Sequence, residues 1–150
     1  MRTFGELVAV AVVSAVVLTP VCPSLAQTFK PGRDSAGIQR RTQKSAELQR
    51  QALQTLGSPA QAEQLVGEAY MQLKGVQDDL IGNASSLKAP DPIANLNIKK
   101  AGQALSVLQE AWDALKVRDK SDSPGRAADL ARDRLEQSLR LTNTLLATAF

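Results

Sequence analysis

Apolar side chains recur along most of this chain in alternating steps of three and four residues, the spacing that keeps them on one side of an α-helix. The pattern is plainest after Pro92, where Ala94, Ile98, Ala101, Leu105, Leu108, Trp112 and Leu115 form one stripe, widened by Ala104, Val107 and Ala111. A second stripe runs through Ala62, Val66, Ala69, Leu73, Val76 and Leu80, with Leu87 beyond Gly82 and Asn83. Another follows Pro124 through Ala128, Ala131, Leu135, Leu139, Thr142, Leu145 and Leu146. The earliest is thin: Ile38 leads to Thr42 and Ser45, and only then to Leu48, Ala52, Leu53 and Leu56.

Turn and cap residues separate these stripes. The first helix begins at Asp34 or Ser35, either of which can accept a first-turn N–H, and it ends before Gly57. In Ser58-Pro59-Ala60-Gln61 the serine caps, the proline occupies the first helical position, and Gln61 completes a capping box. Lys88-Ala89-Pro90-Asp91-Pro92 breaks the pattern, and Asp91-Pro92 and Ser123-Pro124 repeat the cap-then-proline start. Gly67 and Gly75 fall inside the second helix, each costing about 1 kcal/mol relative to Ala. Close backbone approach by a neighbouring helix is one reason for them.

Helices of about 23 to 30 residues are roughly 34 to 45 Å long, and short links return each one beside its predecessor. The predicted fold is all-α, an up-down-up-down antiparallel four-helix bundle over residues 34–150 with shallow left-handed crossings. The third helix, with the widest stripe, is expected to be the most buried. The alternative is a three-helix bundle with the first helix loose or docked on a partner.

The N-terminus has a different pattern. Arg2 precedes an apolar run from Leu7 to Leu18, interrupted only by Ser14, and Pro20 and Pro23 lead into Ser24-Leu25-Ala26. These are the three parts of a secretory signal peptide. The run is about 12 residues, roughly 18 Å as a helix, whereas crossing a bilayer takes roughly 20 residues. Small residues stand one and three places before the cut when cleavage falls before Gln27, which makes residues 1–26 the signal and 27–33, with Pro31 and Gly32, a flexible lead-in. Acylation of Cys22 is disfavoured, because lipoprotein processing requires a small residue where Val21 stands and a Leu-like one where Thr19 stands. The expectation is a bacterial periplasmic or secreted protein whose mature chain has no transmembrane span and, with Cys22 removed, no disulfide.

The net charge of +3 is too small to indicate a nucleic-acid binder. Its placement is uneven, with Arg40, Arg41 and Lys44 on the first helix and Glu63, Glu68, Asp78 and Asp79 on the second. The chain has no histidine, and export leaves it no cysteine, so the commonest general base and the nitrogen and thiolate metal ligands are missing. Asp78 with Asp79 and Asp129 with Asp133 are the nearest carboxylate pairs; both read as solvated, ion-paired faces rather than acid–base pairs. Met71 reads as core or boundary packing. No cofactor is implied.

Two groups of residues remain as candidate sites. Arg40, Arg41 and Lys44 form a basic face suited to an anionic surface or an acidic envelope protein, unless the second helix neutralises it. Tyr70, Leu73, Leu108 and Trp112 are placed to line an apolar pocket between helices, although packing alone accounts for them. The function these features favour is non-enzymatic: an exported bundle acting by macromolecular contact, in an interaction or adaptor role. The competing reading is a carrier of a small apolar ligand in the bundle core.

Overall fold

A computed structural model describes residues 35–118, 120 and 122–150. The signal peptide predicted over 1–26, the lead-in over 27–33 and the candidate cap Asp34 lie outside the described residues. Four helices account for nearly all the rest: α1 Ser35–Gln54, α2 Pro59–Ser85, α3 Pro92–Arg118 and α4 Pro124–Ala149. Among the described residues there is no strand.

Three helices start on the prolines that the sequence marks, since a proline's fixed φ suits the first turn and its missing N–H leaves one fewer donor to satisfy there. At α3, Asp91 Oδ1 accepts the Ile93 N–H at 2.8 Å, as expected of a cap. The capping box predicted at Ser58 and Gln61 does not form. Ser58, at φ −114° and ψ 86°, makes no side-chain capping bond; its carbonyl instead accepts the Ala62 N–H at 3.0 Å. At 20 residues α1 is shorter than predicted, because its end is drawn into a turn in which the Thr55 N–H and hydroxyl both donate to the carbonyls of Gln51 and Ala52.

The helices form a bundle in which α1 packs on α2 and α4, and α3 packs on the same two. The three-helix alternative with a loose α1 therefore falls: Ile38, Ala46 and Ala52 are buried in the common core. Its large members are Leu73, Leu108, Leu135 and Leu145, all fully buried, each contributing about 1.5–3 kcal/mol by leaving water. Between them Ala62, Ala69, Ala101, Ala104, Ala111 and Ala131 are sealed as completely, and these short side chains let the helices approach closely.

Depth within the bundle departs from expectation. α1 buries seven of its 20 residues against eight of 27 in α3, so the helix with the thinnest apolar stripe is proportionally the deeper one. The reason is polar. Thr42, Ser45 and Gln49 of α1 are fully buried, as are Ser138 and Thr142 of α4. The Ser45 hydroxyl donates to the Ala69 carbonyl of α2 at 2.9 Å. Gln49 Nε2 donates to Ser45 Oγ at 3.2 Å and to Thr142 Oγ1 at 3.1 Å. Thr142 in turn donates to the Ser138 carbonyl at 2.9 Å, and the Ser138 hydroxyl donates to the Ala104 carbonyl of α3 at 3.0 Å. One buried seam of hydrogen bonds thus touches all four helices, with Gln49 as its only forked donor and Gln49 Oε1 left without a partner among the described residues.

Particular contacts bring the helix ends together. Arg118 Nη1 donates to the Leu56 carbonyl at 2.7 Å, tying the end of α3 to the α1–α2 link. Arg41 meets Asp79 at 2.8 Å, which sets the start of α1 against the last turns of α2. Lys100 reaches Thr148 at 2.9 Å, joining the start of α3 to the end of α4. No helix among the described residues is long and apolar enough to cross a membrane.

Candidate functional site

Among the described residues a hollow of about 680 Å³ lies over α2. Its floor is made by Gly67, where the missing side chain exposes Trp112 of α3 behind it. Met71 and Ala60 of α2 and Leu48 of α1 supply apolar wall, while Lys44, Glu63, Gln64, Glu68 and Gln72 supply a polar rim. Met71 is 64% exposed, so the packing role expected for it is not what the fold gives it. It stands on the surface beside the hollow, as a soft and adaptable apolar side chain.

Trp112 is held from several sides. Its ring lies 5.7 Å from that of Tyr70 at a tilt of 46°, within the range at which aromatic pairs attract. The Lys116 ammonium sits 3.9 Å from the ring centroid, a cation–π contact. A β-carbon on Gly67 would lie 3.0 Å from Trp112 Cζ2, so the ring rests directly against the glycine. Gly67 and Gly75 thus do admit close neighbours, but these are side chains rather than helix backbone: Trp112 at the first, the Arg41 guanidinium at the second.

Two glycines inside the helices predict different outcomes. At Gly102 an added β-carbon would meet only Gln77 Nε2 at 2.9 Å, the far end of a flexible side chain. Gly102→Ala is expected to raise the unfolding free energy by about 0.5–1 kcal/mol through helix propensity. In Gly67→Ala the rigid indole must give way, so no such gain is expected, and the Trp112 emission maximum should shift. Urea midpoints and fluorescence on the pair check both statements.

The four residues predicted to line an inner pocket are divided by the structure. Leu73 and Leu108 are fully buried core side chains, Tyr70 lies tilted against Trp112, and of the four only Trp112 reaches the hollow. The predicted basic face is divided too. Arg41 turns to Asp79 of α2, Arg40 Nε donates to the Ala36 carbonyl at 3.3 Å, and Lys44 lies 3.8 Å from Glu47 while lining the hollow. Asp79 is buried against Arg41 rather than solvated, whereas Asp78 keeps to the surface beside Lys74 at 3.4 Å. Among the described residues no group of three or more potential ligands is placed to hold a metal ion.

Sequence reasoning missed Met71, Gly67 and Leu48 as members of one site. The outward position of Met71, two residues before the buried Leu73, was the available signal. Compared with known proteins, the chain matches no family model, no curated protein and no solved structure.

Proposed function

We propose that this chain is an exported helical-bundle protein that acts by contact with another macromolecule of the cell envelope, and that the hollow over α2 is the contact site. The reading takes the helices as up-down-up-down, supported by the pairing of Arg41 with Asp79, Arg118 with Leu56 and Lys100 with Thr148. It takes residues 1–26 as a signal removed on export, supported by their three-part pattern. A non-enzymatic role is supported by a sequence without histidine and by the pairing of Asp79 with Arg41 and of Asp78 with Lys74.

The observation that carries the proposal is the combination of an exposed Met71 with an apolar depression backed by Trp112 and rimmed by both signs of charge. That is the anatomy of a small recognition patch: an apolar centre into which a partner inserts a side chain, and a polar rim that orients it. A photo-crosslinking side chain in place of Met71 is expected to give one discrete adduct in the envelope of the source cell. The same side chain at Arg132, exposed on α4, should give none. Met71→Glu should weaken capture by about tenfold or more, as for the loss of a central anchor, while leaving the core intact. The same adduct from both positions, or none from Met71, refutes the assignment.

A carrier function is the second reading, favoured by one observation: the hollow has the volume of a small-molecule site and a tryptophan in its wall. A ligand would then sit over Gly67 rather than between Leu73 and Leu108. Titration with apolar dyes that saturates Trp112 quenching at one equivalent, and is blocked by Gly67→Leu, would select this reading over the first.

A further inference from the structure

A second surface, separate from the hollow over α2, lies at the end of the bundle where α2 stops and α3 begins. There Leu87, Ile93 and Ala149 border a smaller depression of about 310 Å³, which places the α2–α3 link and the end of α4 side by side. Four large apolar side chains stand open to solvent in this region: Leu87 in the link, Ile93 at 65% exposure, Leu96 one turn further along α3, and Phe150 after Ala149. Surface apolar residues are ordinarily scattered, so a group of four at one tip calls for something that covers them.

The charges around the group have one predominant sign. Lys88 follows Leu87 in the link, Lys99 lies three residues after Leu96 on the same side of α3, and Lys100 reaches across to Thr148. None of the three takes part in an ion pair among the described residues. The one carboxylate within the link, Asp91, is engaged by the Ile93 N–H. Asp78 and Asp79, further back on α2, are met by Lys74 and Arg41.

We propose that this tip docks on a bilayer surface carrying anionic phospholipid headgroups, with Leu87, Ile93, Leu96 and Phe150 entering the headgroup layer and the three lysines lying among the phosphates. A lipid interface offers both complements at once, an apolar layer below and negative charge at its own level. A second copy of the chain fits less well, since it would set three lysines against three.

The test uses the full chain with vesicles of phosphatidylcholine alone or mixed with phosphatidylglycerol. Sedimentation with the mixed vesicles is expected to fall roughly thirtyfold in partition constant for the double variant Lys88→Gln, Lys99→Gln. It should also fall for Ile93→Ser with Leu96→Ser, and hold for Val117→Ser with Leu130→Ser, which are exposed elsewhere. The apolar run can bind vesicles by itself, so a depth measurement accompanies these. In a Trp112→Phe background, brominated anionic lipid should quench Ile93→Trp strongly and Val117→Trp little. Equal quenching of the two, quenching of neither, or the same quenching of Ile93→Trp in neutral vesicles overturns the proposal. So does a dimer in lipid-free solution that Ile93→Glu splits, which would give the tip to a second copy.

Discussion

Gln49→Glu is expected to lower the unfolding free energy by about 3–5 kcal/mol at neutral pH. Gln49 is fully buried, and its amide nitrogen supplies donors to Ser45 and Thr142. Both hydroxyls already donate their own protons to carbonyls, so they have only lone pairs to offer an arriving carboxylate. The introduced carboxyl would therefore be charged, desolvated and faced by acceptors. Burial raises its folded-state pKa above the unfolded value near 4.3. The sign follows: protonated below that value, the variant regains most of its stability, and the deficit grows as pH rises towards the folded-state pKa. Urea unfolding between pH 4 and pH 8 checks it, and a deficit that shrinks as pH rises would contradict the seam as described.

Gln49→Leu supplies the opposite arm. It removes two hydrogen bonds but also an amide oxygen that has no partner among the described residues, while Ser45 and Thr142 keep their own acceptors. The net change is expected to lie within about 1 kcal/mol of zero, since replacing a partly satisfied buried amide by an apolar side chain of similar size is nearly neutral. A loss comparable to that of Gln49→Glu would show that shape, not polarity, sets the site.

Leu108→Ala carries the second large expectation, a loss of about 2–5 kcal/mol. Leu108 is fully buried on α3, among the alanines Ala101, Ala104 and Ala111 of its own helix, which have no length to move into the space it leaves. Leu96→Ala, on the same helix but half exposed, should change stability by no more than about 0.5 kcal/mol. Chemical denaturation of the pair tests whether the core is as tightly filled as the fold requires. If the two losses are equal, α3 is not packed as described.

Much of the architecture was legible because proline and periodicity speak locally. Pro59, Pro92 and Pro124 each open a helix, and the stripes through Val66, Ala69, Leu73 and through Leu105, Leu108, Leu115 are the buried faces. What escaped was the placement of polar side chains. Thr42 and Ser45 read as a weak stripe and Gln49 did not register, because hydropathy scores each as a surface residue; the partners of Ser45 and Gln49, Ala69 and Thr142, lie 24 and 93 residues away, and no local rule reaches that far. The site was less legible than the fold for a similar reason. Trp112 and Tyr70 were visible as aromatics near the stripes, but a hollow made by Gly67 between residues of three helices is a tertiary object. Arg41 and Asp79 show the same separation: each was seen, 38 positions apart, as part of a charged face, and only packing turned them into a pair.

The contact between Gly67 and Trp112 has one more consequence. A helix is by nature a convex cylinder, and proteins commonly gain concavity by inserting loops between elements. Here the absence of one β-carbon within an unbroken helix lets an indole from α3 back the hollow, so an aromatic surface is gained without interrupting the backbone ladder that α2 needs. Any lineage of this chain that restored the missing carbon would keep its architecture and press on the ring behind it.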